Sequence, residues 1–308
     1  MSPGTPLLAL VGPTASGKSQ AALELARPLG AEICSVDSML VYRGMDIGTA
    51  KPTARERAAV PHHLLDLAAP SERFSVARFQ EAARVVIDDV RSRGAVPLLV
   101  GGSGLYFRAV TDDLVFPGED ARVRADLEAE AGTAGVGALY RRLEDLDPVA
   151  AAKIEPGNLR RVVRALEVAA ITGAPFSAFA AAWERYDPAR VRMAGIRIPA
   201  ALLAARIADR VDSMLALGWL DEVEGLLARG FGSWLTSTQA IGYSELARHL
   251  DGRLSLEEAW EGTVRRTKNL ARRQMAWFRR DPRVRWFDAG ERGAAEVVEA
   301  VLPFLEGA

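Results

Sequence analysis

The stretch Gly12-Pro13-Thr14-Ala15-Ser16-Gly17-Lys18-Ser19 constrains this chain more than any other. An apolar segment, Leu7 to Val11, precedes it, and a segment of helical composition, Gln20 to Arg27, follows it. That is the strand–loop–helix setting a phosphate-binding P-loop needs. Glycine lets the backbone wrap closely around phosphate oxygens, and the loop amides point inward as donors. The positive end of the following helix adds a favourable field, and Lys18 supplies a mobile charge. Ser19 carries the hydroxyl that such loops set on Mg²⁺, so Ser19 is the candidate metal ligand and Mg²⁺ the expected ion. Gly12 to Ser19 is therefore the expected seat of a di- or triphosphate. A Gly-rich turn without a ligand is the other reading of the same residues.

A chain of 308 residues, about half of them apolar, can build one large α/β domain or one domain with an insertion. No apolar run is long enough to span a bilayer, and Met1 to Thr5 does not read as a signal peptide. The single cysteine, Cys34, lies in an apolar run, which suits a packed thiol in a reducing cytoplasm. Net charge is −1, so a polyanionic partner has to be sought in the distribution of charge rather than in its sum.

Ala31 to Val36 reads as a buried strand ending on Asp37. Ligands of doubly wound sheets sit beyond the carboxyl ends of the strands, which brings Asp37 toward the phosphate site; capping the next turn is its alternative role. Gly44 to Pro52 reads as an irregular loop over the site, and as a part that moves. His62-His63 precede Leu64 to Leu67, an expected short strand, and packing suits the two histidines better than a shared metal. Ser75 caps an expected helix that stops at Gly94, and Val96 to Val100 reads as a buried strand running into Gly101-Gly102-Ser103-Gly104. A nucleotide-hydrolysing P-loop protein often carries an acid at such a strand end. Glycines stand there instead, which argues against an ATPase.

Between 117 and 188 helical patterns replace strands: Ala121 to Ala131, Gly135 to Leu146 and Asn158 to Ile171. The expected architecture is a P-loop-containing parallel-sheet α/β core, residues 1–116 and 189–308, with an all-helical insertion, residues 117–188. Arg160, Arg161 and Arg164 on one insertion helix suit either a solvated face or a phosphate-binding one. After a strand at Arg192 to Ile198 and a helix from Ala200, Thr238 to Tyr243 reads as a loop. Ser255 then opens a long helix rich in arginine, with Trp277 and Phe278 interleaved. Arg265, Lys268 and Arg272 share one face of it, with Arg273 adjacent, in the manner of a stripe for RNA phosphates; a basic solvated helix is the alternative.

Taken together, these motifs resemble the bacterial tRNA dimethylallyltransferases. The matching segments are the P-loop, Asp37-Ser38-Met39, Val41 to Pro52, His62-His63-Leu64 and Gly101 to Tyr106. Arg164 to Val168, Gln239 to Tyr243, Arg272-Arg273-Gln274 and Trp277-Phe278-Arg279 continue it in order. The resemblance spans nearly the whole chain. It departs at Leu40, Ser103 and Ser244, where the family commonly has Gln, Thr and Lys.

The resemblance implies transfer of a prenyl group from dimethylallyl diphosphate to an adenosine amine beside the anticodon of tRNA. The P-loop then holds a leaving diphosphate rather than ATP. Asp37 is implied as general base, and Thr14 and Arg210 as catalytic groups on the diphosphate. Asp37, Ser38, Met39, Leu40, Ser103, Gln239, Gly242 and Tyr243 join the arginine-rich positions as the implied tRNA contacts. The implied partners are the tRNA anticodon stem-loop and dimethylallyl diphosphate, with no membrane and no protein partner. The rival classes are a kinase using the same loop on ATP, and a P-loop RNA-binding protein without catalysis.

Overall fold

The computed structural model describes residues 5–112, 114–290 and 294–307. Met1 to Gly4, most of the stretch read above as no signal peptide, lie outside the described residues. The chain divides into two compact units, Met1–Thr111 with Asp187–Ala308, and Asp112–Tyr186.

The first unit begins with β1 (Leu7–Val11), α1 (Lys18–Leu29), β2 (Ala31–Val36), α2 (Ala54–Ala59), β3 (His62–His63), α3 (Val76–Ser92), β4 (Val96–Gly101) and α4 (Gly104–Thr111). The second unit holds α5 (Ala121–Ala134), α6 (Val136–Leu146), α7 (Pro148–Ala151) and α8 (Leu159–Thr172), then a 3₁₀ segment, Phe176–Glu184. The first unit resumes with β5 (Val191–Arg197), α9 (Ala200–Ala216), α10 (Trp219–Leu227) and a 3₁₀ turn, Ser237–Gln239. It ends with α11 (Tyr243–Leu250), α12 (Leu256–Phe278), β6 (Val284–Asp288) and α13 (Ala294–Glu306).

Six strands form one parallel sheet in the order β3-β2-β4-β1-β5-β6. Its interior strands are apolar on both faces, as a parallel sheet covered on both sides requires. Successive residues point to opposite faces. Leu8 and Leu10 of β1 therefore join Ala22 and Leu25 of α1 and Val301 of α13 in one core. Ala9 and Val11 face the other way, onto Phe79 of α3, Phe107 of α4 and Ile207 and Val211 of α9. Fully enclosed side chains such as Leu10 and Leu25 contribute about 1.5–3 kcal/mol each. Cys34 lies in the second core, where burial pushes its thiol up to about 12. No helix among the described residues is long and apolar enough to cross a membrane.

Three local expectations change. The strand expected at Leu64 to Leu67 is His62–His63 instead, paired with Ile33 and Cys34. Leu64 and Asp66 take positive φ (64° and 57°), which breaks the extended run. His63 Nε2 meets Glu32 Oε2 at 2.6 Å and His62 Nδ1 meets the Val60 carbonyl at 2.7 Å, so both rings pack at the sheet edge. The loop expected at Thr238 to Tyr243 holds the end of a 3₁₀ turn, Ser237–Gln239, and stops one residue sooner, because Tyr243 opens α11. β6, unforeseen, extends the sheet beside β5.

In the second unit, Leu139, Leu143, Val162 and Leu166 form the core where α6 meets α8. Asn158 accepts from the Arg161 amide at 3.2 Å and so caps α8.

Candidate active site

The loop Gly12 to Gly17 leaves the carboxyl end of β1, between β4 and β5. A side chain at Gly12 would crowd the Ile196 carbonyl of β5 at 3.1 Å and Ser16 Oγ at 3.0 Å, so the backbone has to pass close. Ala15 (φ 61°) and Gly17 (φ 87°) take left-handed conformations. For Ala15 that costs about 1–3 kcal/mol, which surrounding contacts must hold in place. Gly17 gives α1 no side-chain cap, so its first amides stay available to an anion. Ser16 Oγ is buried without a hydrogen-bond partner among the described residues. Lys18 Nζ reaches back to the Pro13 carbonyl at 3.1 Å.

Asp37 follows β2 at the same sheet end. Its Oδ1 accepts the Met39 amide at 2.8 Å, leaving Oδ2 with no hydrogen bond among the described residues. Turn capping thus occupies one of the two oxygens. α9 brings Arg210 into this field. Burial lowers the Lys18 pKa to about 8, Arg210 lowers it further, and Asp37 opposes both. The Arg210 guanidinium is likewise lowered by burial and raised by Asp37. Two cations and one carboxylate therefore share a site beside uncapped helix amides, a setting for an anion that develops charge. Arg206, one turn earlier, donates to the Gly290 carbonyl at 3.4 Å and lies near Gly17.

The glycines after β4 have a packing reason. A Cβ at Gly101 would strike the Val36 backbone, one at Gly102 the Gln274 amide, and one at Gly104 the Trp277 indole. Gln274, named from the sequence only within a matching segment and given no role there, reaches from α12 into the loop: its Oε1 accepts the Thr14 amide at 2.8 Å. A neutral amide within a run of arginines gives no signal of such a contact, whose partners lie 260 positions apart.

Farther along α12, Arg265, Lys268, Arg272 and Arg273 are exposed. The first three line a cavity of about 380 Å³ between α12 and α9, with Trp260 and Val264 beneath. Arg266 turns inward and pairs with Glu245 and with the Ser244 hydroxyl at 2.9 Å.

Residues 40–281 match the family model described as IPP transferase. The chain belongs to the IPP transferase family. It is 49% identical to a protein named tRNA dimethylallyltransferase from Nocardioides sp., covering 98% of each chain. It is 50% identical to one of the same name from Salinispora arenicola, covering 96% of this chain and 86% of the relative. A full-length tRNA isopentenylpyrophosphate transferase from Bacillus halodurans superposes with TM-score 0.69 at 43% identity, covering 98% of this chain and 97% of that one. A eukaryotic dimethylallyltransferase captured acting on tRNA superposes with TM-score 0.81 at 27% identity, covering 96% of this chain and 78% of that one.

Within this IPP transferase the other expected residues fall in different settings. Ser38, Met39 and Leu40 are half-buried beside Asp37, and Ser103 is half-buried where α4 begins. Gln239 is exposed and donates to the Leu235 carbonyl at 3.1 Å. Gly242 and Tyr243 are enclosed. Tyr243 is 0% exposed and donates its hydroxyl to Glu222 Oε1 at 2.6 Å, so its side chain packs rather than faces solvent. Glu222 Oε2 also accepts the Asp46 and Ile47 amides, each at 2.8 Å. The buried Lys51 ties the Tyr42 carbonyl, Asp46 and Asp66 together at 2.5–2.7 Å. The Gly44 to Pro52 segment is irregular, as expected, and is tied to α10 and to Asp66 by these bonds. In the second unit Arg160 and Arg161 are exposed, whereas Arg164 binds Glu167 at 2.9 Å and the Pro117 and Gly118 carbonyls. Arg164 is thus engaged inside its own unit.

Proposed function

We propose that this IPP transferase moves a dimethylallyl group from dimethylallyl diphosphate to the exocyclic N6 amine of the adenosine 3′ to the anticodon in tRNA. The observation that carries this reading is the meeting of Lys18, Arg210 and the Asp37 carboxylate at an uncapped P-loop helix, in a chain whose relatives are named tRNA dimethylallyltransferase.

In the reaction the N6–carbon bond forms as the carbon–oxygen bond to diphosphate breaks. The loop amides, Thr14, Lys18 and Arg210 offset the charge that grows on the leaving diphosphate. Asp37, through its unengaged oxygen, takes the proton that N6 loses. The base must leave the anticodon-loop stack to reach that carboxylate. The stripe Arg265, Lys268 and Arg272 holds the RNA backbone, with the exposed Arg160, Arg161 and Arg273 as further phosphate contacts.

The donor set of the loop suits Mg²⁺. Ser19 is exposed at the start of α1 with a hydroxyl that makes no hydrogen bond among the described residues. A hard cation that keeps several waters and takes phosphate oxygens needs little more from the protein. Among the described residues no cluster of three or more His, Cys, Asp or Glu side chains offers an alternative metal site. Bound there, Mg²⁺ would supply further positive charge to the diphosphate. A cytoplasmic setting is part of the proposal, since the tRNA substrate is cytoplasmic.

Diphosphate release tests the reading. Release should require tRNA together with dimethylallyl diphosphate and should not respond to ATP. Conversion of ATP to ADP with phosphorylation of a small acceptor and no RNA would mark a kinase instead.

A further inference from the structure

We propose that Gln274 is a positioning residue of the phosphate loop, the contact that holds the strained turn at Ala15 in its phosphate-binding shape and fixes it to α12. The inference rests on reading the loop as a diphosphate site, and it adds a residue that this reading does not contain.

Three contacts restrain the turn. The Ser16 amide donates to the Pro13 carbonyl at 3.3 Å, and Lys18 Nζ donates to the same carbonyl at 3.1 Å. Both are internal to the loop, and Lys18 must be free to leave when a phosphate arrives. The Thr14 amide donating to Gln274 Oε1 at 2.8 Å is the restraint that comes from outside. It acts on the residue immediately before Ala15, whose left-handed φ of 61° needs such support.

Gln274 is itself well placed to hold still. It is 8% exposed, and its amide is wedged against Gly102, which has no side chain because the amide occupies that space. The carbonyl oxygen is thereby turned toward Thr14. The contact also takes the Thr14 amide out of the set of donors available to phosphate. Because Gln274 follows Arg272 and Arg273 on the same helical turn, the loop is held by the element that carries the basic stripe.

The test uses the full chain and inorganic pyrophosphate as the probe, with binding measured calorimetrically and prenyl transfer measured in a single turnover at saturating donor. Gln274→Met keeps the length of the side chain and removes the acceptor. It should weaken pyrophosphate binding and slow the single turnover, each by about tenfold, while tRNA affinity stays near wild type. A role confined to helix packing would lower thermal stability and leave both readouts unchanged below the melting temperature. Gly102→Ala supplies an independent break. Its Cβ would push the end of the Gln274 side chain away from Thr14, and it also meets the Gly12 carbonyl at 3.1 Å, so it should shift pyrophosphate affinity in the same direction and at least as far. Wild-type pyrophosphate affinity in a folded Gln274→Met overturns the proposal; if that variant does not fold, the same result in Gly102→Ala does. Lys18→Ala separates the two layers. If it too binds pyrophosphate like wild type, the diphosphate reading fails and this inference falls with it.

Discussion

Lys18 lies among opposing influences: burial and Arg210 disfavour its charge, and Asp37 favours it. Its native pKa of about 8 lies below the ordinary 10.5, so without ligand the native state releases the proton before the unfolded chain does. The Lys18 contribution to stability should therefore rise as pH climbs from about 8 toward 10.5, read as the difference between wild type and Lys18→Met in chemical denaturation across that window. A bound diphosphate reverses the preference. At pH 8 binding of pyrophosphate should draw up to about half a proton onto Lys18, read from calorimetry in buffers of different ionisation heat. Lys18→Arg should remove that uptake; equal uptake in the two proteins would place the lysine away from the ligand. Asp37 has a different expected signature. Asp37→Ala should cut turnover by about 10²–10⁴-fold while tRNA affinity changes far less. Turnover near wild type would take Asp37 out of the chemistry.

α12 carries the basic stripe and the loop contact on one helix. Ser255 and Glu258 close a capping box at its start, the cavity-lining cations follow, and Gln274 and Trp277 pack against the strand-end glycines. Neutralising Arg265, Lys268 and Arg272 together should weaken tRNA binding and flatten its dependence on salt by up to about one unit of slope per contact. An unchanged slope would make the stripe a solvated face. α10 works from the other side through Glu222, which holds the Asp46 and Ile47 amides and the buried Tyr243 hydroxyl. Glu222→Ala should cost about 1–3 kcal/mol in chemical denaturation and speed hydrogen exchange at those two amides. Unchanged exchange would mean that Lys51 alone holds the segment. The same elements show what could be read in advance. β1, β2, β4 and β5 stand out as apolar runs, and α3 and α12 begin on visible caps at Ser75 and Ser255. β6 was hidden because its residues, from Val284 to Asp288, mix charged and aromatic groups at a half-exposed position without an apolar run. α4 and α11 were hidden because each begins where a Gly-containing motif reads as a loop. Asp37 could be placed by the rule for strand ends, whereas Gln274 and Glu222 act on backbone amides far away in sequence, which no local pattern encodes.

Across the whole molecule, the proposed function requires two phosphate-bearing substrates on one chain, the donor at the P-loop and RNA at the basic surfaces. A reactive allylic diphosphate in an open site would be lost to water, so the adenosine should be in place before the donor reacts. The protein alone should hydrolyse dimethylallyl diphosphate negligibly, and tRNA should bind without donor. Rapid diphosphate release without tRNA, or tRNA binding that requires the donor, would reverse that order while leaving the reaction itself intact. The reaction is tested most directly by mass analysis of tRNA incubated with the protein, dimethylallyl diphosphate and Mg²⁺, digested to nucleosides and to oligonucleotides. The predicted result is a gain of one five-carbon prenyl unit on a single adenosine immediately 3′ to the anticodon, formed about 10²–10⁴-fold more slowly with Asp37→Ala. Unmodified tRNA, or the prenyl unit on any other nucleotide, would contradict it.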